Sequence, residues 1–261
     1  RFLKNNGDSK KYGKYMKDQL RELLTNYGKI DIVWLDQDGP FYDAEPDICK
    51  EIDEMMSELQ PGIIINRNWG NKCSYFGAGE QVFVSRNKSC RSLSETCVTI
   101  NDTFGYKCYD NNWKTTDLLV QTLCKAAGAG SNLLLNVGPM GDGSIHRYSK
   151  TQLYEMGCWL RINGESIYGT DGSPFDKNPW GATTIRDSIM YVHLFDNYVK
   201  ENELYIYGLK NNVNKAYMLA DNHRKLLKVE QSYNNRFIFI ENRFTRRKKR
   251  QVCKYNSIGN G

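Results

Sequence analysis

The chain has 261 residues, of which 40% are hydrophobic, 25% charged and 12% aromatic. With 17 Tyr, 10 Phe and 5 Trp against 6 Pro and 22 Gly, it is not a disordered, collagen-like or low-complexity polymer. No apolar run approaches the ~18 residues that a membrane-spanning helix needs, so no membrane partner is expected. The net charge of +6 sits in the tail: Arg243, Arg246, Arg247, Lys248, Lys249, Arg250 and Lys254 fall in the last twenty residues, where there is no acid. Without those seven bases the balance is 29 against 30 acids. A neutral body argues against nucleic acid as a partner, and the tail reads as a solvated terminus, with a polyanion patch as the alternative.

The predicted elements alternate over the first 170 residues. Tyr12, Tyr15, Met16, Leu20, Leu23, Leu24 and Tyr27 recur at spacings of three and four and predict an amphipathic helix that Gly28 stops. Residues 30–35 form a short apolar strand. Pro46 opens a second helix with Ile48, Ile52, Met55, Met56 and Leu59 on one face, and Pro61 closes it. Residues 62–66 are apolar without alternation, the pattern of a strand buried on both faces of a parallel sheet. Residues 69–93 read as a long polar loop. A strand over 96–101, a helix over 115–127, a strand over 132–137 and a helix over 149–162 follow. After Gly172-Ser-Pro174 the pattern changes to short runs about ten residues apart (190–195, 203–207, 216–219 and 237–240), which predict an antiparallel β-domain, a small sandwich. There is no internal repeat.

Strand–helix alternation predicts βαβ units and a parallel sheet. The first strand is not followed by a GxGxxG turn, which removes a dinucleotide-binding fold. A (β/α) barrel remains, and it carries its chemistry at the carboxyl ends of its strands. Asp36, Arg67, Asn101 and Asn136 stand there. The eight cysteines form no CxxC pair, which argues against zinc, and a disulfide framework is unsupported in a chain this long. Cys124 and Cys158 lie on apolar helical faces and read as core thiols. Asn87-Lys-Ser89 and Asn101-Asp-Thr103 fit the glycosylation pattern but carry little weight, since Asn101 ends a strand. His146, His193 and His223 are too scattered for a triad or a metal site, and no cofactor or metal is expected.

Carboxylates remain. Asp36 ends a buried strand beside Trp34, where it is either a reactive acid or the cap of a turn. Glu80 and Glu95 lie in or beside the long loop. Two carboxylates across a sugar-sized gap perform glycoside hydrolysis, one attacking or activating water and the other protonating the leaving oxygen. Indole rings suit the apolar faces of sugars.

Several stretches also match a known family in order. Residues 19–28 followed by Trp34-Leu-Asp36 resemble the segment leading to the nucleophile of the retaining α-L-fucosidases of glycoside hydrolase family 29. Asn66-Arg-Asn-Trp-Gly70 resembles that family's arginine segment, Gly79-Glu80-Gln81 its acid/base loop, and the stretch from Glu95 to Tyr106 its Trp-Glu-Thr-Cys strand. Residues 133–139 and 157–170 complete the barrel part, and Pro179-Trp-Gly181, 191–196 and 216–221 resemble its β-domain. The resemblance implies the C-terminal half of a TIM-like (β/α) barrel over residues 1–170, a small antiparallel β-sandwich domain over 171–242 and a basic tail over 243–261. Because the family's barrel begins upstream, with early strands that have no counterpart here, the chain is expected to be N-terminally incomplete. Residue by residue, Asp36 resembles the nucleophile and Glu80 the acid/base. Glu95 is the second candidate for that acid, or else an acid hydrogen-bonded beneath the site. Arg67 resembles a residue that binds sugar hydroxyls or holds a carboxylate. Trp34 and Phe104 resemble the apolar wall against the fucose ring. The implied partner is a fucosylated oligosaccharide or glycoconjugate, with self-association left open. The implied location is secreted, periplasmic or lysosomal. Two other readings stand beside this one: a catalytically inactive remnant with at most sugar binding, and a polyanion binder acting through residues 243–250.

Overall fold

The computed structural model describes residues 8–35, 39–66, 75–77, 81, 93–175, 179–195, 203–209, 211–232 and 237–241. The chain opens with α1 (Ser9–Asn26), capped by Asp8, whose carboxylate accepts from the Lys11 N–H at 3.0 Å. Then come β1 (Ile32–Trp34), α2 (Gly39–Ala44), α3 (Pro46–Leu59, with proline at its start), β2 (Ile64–Asn66) and β3 (Tyr75–Gly77). β4 (Leu93–Thr99), α4 (Thr116–Gly128), β5 (Asn132–Asn136) and α5 (Arg147–Asn163) complete the α/β part.

The five strands form one sheet in the order β1-β2-β3-β4-β5, and every pair is parallel. Spatial order equal to chain order means that the winding never reverses, as it would at the switch point of a doubly wound sheet. Side-chain parity shows that the helices lie on one face. Val33, Ile63 and Ile65 join Leu20 and Leu24 of α1 and Ile52 and Met56 of α3 in one core. Ile100 and Leu135 join Leu119 of α4 and Met156 of α5 in another. Strand residues of the other parity face away from the helices. On that face Ile32 (50%), Trp34 (36%) and Leu134 (41%) remain exposed. Among the described residues β1 and β5 each pair on one side only.

The register is staggered. Trp34 pairs with Asn66, Asn66 with Tyr75, and Tyr75 with Leu93. The end of β1 is therefore level with the beginning of β4, and Glu95 stands two residues beyond that level. Such a progressive shift is how strands tilt around a barrel axis.

The later residues form antiparallel structure. β6 (Gly181–Arg186) and β7 (Ile189–Leu194) make a hairpin, and β8 (Glu203–Tyr207), β9 (Lys228–Ser232) and β10 (Phe237–Glu241) make a sheet in the order β8-β10-β9. Trp180, Leu204 and Ile206 are its buried centre, with Met190, Val192, Leu194 and Val229 packed around them. Several contacts fasten this part to the α/β part, two of them especially close. Gly172 lies so close to Gly130 that a Cβ would sit 2.7 Å from the Gly130 amide nitrogen. The Thr184 hydroxyl donates to the Ser166 carbonyl at 2.6 Å.

Three expectations change. The stretch 69–93 is not loop throughout, because β3 crosses it. Residues 216–219 are not a strand: only Tyr217 bridges, to Leu226. α2, β6 and β9 are additional elements. Cys124 and Cys158 are buried as expected, at 2% and 1% exposure.

Candidate active site

Trp34, at the end of β1, donates its indole N–H to Glu95 Oε1 at 3.0 Å. The two residues belong to strands three positions apart in the sheet. Three strand spacings on a flat sheet span roughly 14 Å, a gap that side chains standing upright from it do not bridge. The bond therefore reports a sheet curled toward its helix-free face, where the two side chains converge. Glu95 is half-buried and takes this charge-assisted bond at ordinary length.

Phe104 follows β4 in the loop 100–114 and is half-buried. Its carbonyl accepts from the Asn136 side chain, at the end of β5, at 2.8 Å. Gly138 then packs against the same turn, where a Cβ would meet the Tyr106 nitrogen at 2.6 Å, the Gly105 carbonyl carbon at 2.8 Å and the Phe104 oxygen at 3.0 Å. All three are backbone atoms, so only glycine fits.

The loop is braced from within by Asp110. Its carboxylate accepts from the Thr103 hydroxyl at 2.6 Å, the Asn101 side-chain amide at 2.9 Å and the Thr103 N–H at 3.0 Å. The Thr103 hydroxyl is the chief reason that Asp110 titrates below the usual carboxylate range, with backbone N–H groups adding to it against the opposing effect of burial. Lys114 donates to the Asn101 carbonyl at 2.7 Å. Burial lowers the Lys114 pKa, against the attraction of Asp102 and Asp110. The Asn101 amide is buried and used in this network, which removes it as a glycosylation acceptor in the folded chain.

Gln81 adds a contact that motif reading marks only as the neighbour of Glu80. Its amide N–H donates to the Cys97 carbonyl at 2.8 Å, and its side-chain N–H to the Thr99 hydroxyl at 2.7 Å. Nothing in its residue type signals this; only the folded backbone does. The site thus brings together Trp34 and Glu95 directly and fixes the turn that carries Phe104. Asp36, Arg67 and Glu80 lie outside the described residues, as do Asn87 and the tail 243–261. No group of three or more His, Cys, Asp or Glu suited to a metal ion occurs among the described residues. No described helix is long and apolar enough to cross a membrane.

The alpha-L-fucosidase family model matches residues 2–165. The chain belongs to the alpha-L-fucosidase family. It is 28% identical over 190 residues to the alpha-L-fucosidase of Dictyostelium discoideum, an alignment covering 68% of this chain and 41% of that protein. Against the plasma alpha-L-fucosidase of Homo sapiens it is 30% identical over 160 residues, covering 58% of this chain and 34% of that one. Among solved structures, alpha-L-fucosidase isoenzyme 1 from Paenibacillus thiaminolyticus superimposes with a TM-score of 0.78 at 30% identity, over 91% of this chain and 59% of that one. The alpha-fucosidase of Thermotoga maritima, solved with a mechanism-based inhibitor, gives a TM-score of 0.72 at 25% identity, over 88% and 52% of the two chains. This fucosidase-family chain thus spans about two fifths or less of the length of these two curated relatives.

Proposed function

We propose that this chain carries the site of a retaining α-L-fucosidase that releases terminal α-L-fucose from glycans or glycoconjugates by double displacement. The parallel sheet is read as part of a TIM-like barrel over residues 1–170, and the antiparallel sheets as a small β-sandwich over 171–242. The observation that carries the reading is the Trp34–Glu95 bond on the helix-free face. It holds an indole ring at the carboxyl end of β1, on the face where a sugar would lie, in a chain that belongs to the alpha-L-fucosidase family.

Asp36, two residues beyond Trp34, is assigned as the nucleophile. Its carboxylate attacks the anomeric carbon while the bond to the leaving oxygen breaks with its electron pair. Glu80 donates its proton to that oxygen. In the second half Glu80, now a carboxylate, takes a proton from water as the water oxygen attacks the same carbon and frees Asp36. With its carboxylate engaged by the Trp34 indole, Glu95 serves to hold the ring rather than to carry the proton. Arg67 is assigned to the sugar hydroxyls, and Phe104 to the apolar side of fucose.

The test is hydrolysis of an aryl α-L-fucoside by this chain and by Asp36→Asn, together with labelling by a 2-fluoro-fucosyl fluoride. Turnover lost in Asp36→Asn, with an adduct on the peptide holding Asp36, is the expected result. An active chain that takes no label, or a chain without turnover, overturns the proposal.

A further inference from the structure

The turn that carries Phe104 continues into an open cavity of about 530 Å³ within the loop 100–114. That size falls in the range of ~300–1,000 Å³ typical of ligand sites. The loop follows β4, so the cavity stands at the carboxyl end of the sheet, where a (β/α) barrel carries its chemistry. All of its lining residues are among the described residues, and Thr103, the neighbour of Phe104, is one of them. A trans peptide keeps adjacent Cα atoms about 3.8 Å apart, so the cavity adjoins the turn that presents Phe104.

The wall is held before any ligand arrives. Asp110 braces it from within, as described above. The Asn112 side-chain amide donates to both oxygens of Asp102, at 2.9 and 3.1 Å. The Asp110 N–H donates to the Lys107 carbonyl at 3.1 Å and closes a turn between them. Tyr109 sits on that turn with 74% of its surface exposed. The Lys107 ammonium lies 6.0 Å from the centre of its ring.

These groups select a chemistry. The Tyr109 ring offers a flat apolar surface to the C–H face of a pyranose. Around it Lys107 supplies a hydrogen-bond donor, and Asn111 and the Tyr109 hydroxyl each donate or accept. Two carboxylates, Asp102 and Asp110, stand against the one ammonium of Lys107 in the lining. That balance disfavours an anionic ligand. An apolar ligand would use the ring and waste the polar rim. A neutral sugar uses both.

We infer that this cavity is the subsite for the leaving group, and that the leaving group is a neutral pyranose stacked on Tyr109. The inference rests on the fucosidase reading, which puts fucose against Phe104.

The experiment compares kcat/KM for two substrates on the full chain. The first is α-L-fucosyl fluoride, whose departing fluoride is too small to reach Tyr109. The second is the fucosyl-hexose disaccharide that the natural chain hydrolyses fastest among the common linkages. Tyr109→Ala is expected to lose about five- to twentyfold on the disaccharide and less than about twofold on the fluoride. Tyr109→Phe keeps the ring and is expected to stay within about threefold of the natural chain on both. Equal losses in Tyr109→Ala on the two substrates mean a general structural role and overturn the inference. No loss on the disaccharide overturns it too, as does a Tyr109→Phe variant damaged as much as Tyr109→Ala. A disaccharide that gains from a sulfate ester on its hexose overturns the choice of a neutral sugar. If the chain hydrolyses the fluoride but no disaccharide, the subsite alone falls. If it does not hydrolyse the fluoride, the fucosidase reading falls and the inference with it.

Discussion

His193 gives the fold a specific weakness to acid. It lies on β7, 8% exposed, with its ring Nε2 3.3 Å from the Thr184 hydroxyl and its ring 6.5 Å from that of Trp159 on α5. Burial pushes its pKa from 6.5 down to about 4, and a weaker hydrogen bond involving the Ser166 backbone opposes the shift. For a base, a depressed folded value means that the unfolded chain takes up the proton first. Stability is then unaffected well above pH 6.5 and falls as the pH drops through 6.5 toward 4. Integrating proton uptake between pH 7 and pH 4.5 gives a loss of about 2 kcal/mol from this one group. Urea unfolding at both pH values, for the natural chain and for His193→Gln, measures it. The variant's absolute stability is not the readout; the difference between the two pH dependences is, because carboxylates elsewhere contribute equally to both. A variant that loses as much on acidification as the natural chain refutes the reasoning.

Two further outcomes follow from the site. In a double-mutant cycle of Trp34→Phe and Glu95→Gln, read by urea unfolding, the coupling should be about 1 kcal/mol, below the usual range for a bond to a charged group because both residues are partly exposed; a coupling under ~0.3 kcal/mol would show that the bond holds nothing. Gly138→Ala forces a methyl against three backbone atoms of the turn at residues 104–106, so it should cost about 1–3 kcal/mol and weaken L-fucose binding in a calorimetric titration, and an unchanged variant would mean that the turn yields freely.

The sequence carries the helices plainly. The face of α3 reads directly from Ile52, Met55 and Met56, all buried, and Pro46 marks its start. β3 escapes because three residues in a Gly- and Ser-rich stretch carry no period, and their strand character comes from the neighbours on each side. β6 escapes because its buried positions include Thr183 and Thr184, polar residues whose hydroxyls find partners only in the fold. β9 has one apolar anchor, Val229, and lies at a sheet edge. The resemblance over 216–221 marks a family-like stretch, but not its conformation, which among the described residues is a single bridge. In the site, Trp34, Glu95 and Phe104 are recognisable as residue types. That Glu95 is spoken for by Trp34, or that Gln81 grips β4, follows from curvature and register, which one-dimensional spacing does not encode.

The Trp34–Glu95 bond joins residues 61 positions apart. Closing so long a stretch is an entropic cost met only when β1 and β4 have both found the sheet, so no local piece of the chain can raise this indole into place. The ring's placement thus depends on an assembled sheet rather than on any local stretch. A ligand that touched the indole while it is so held would report on the union of two distant strands.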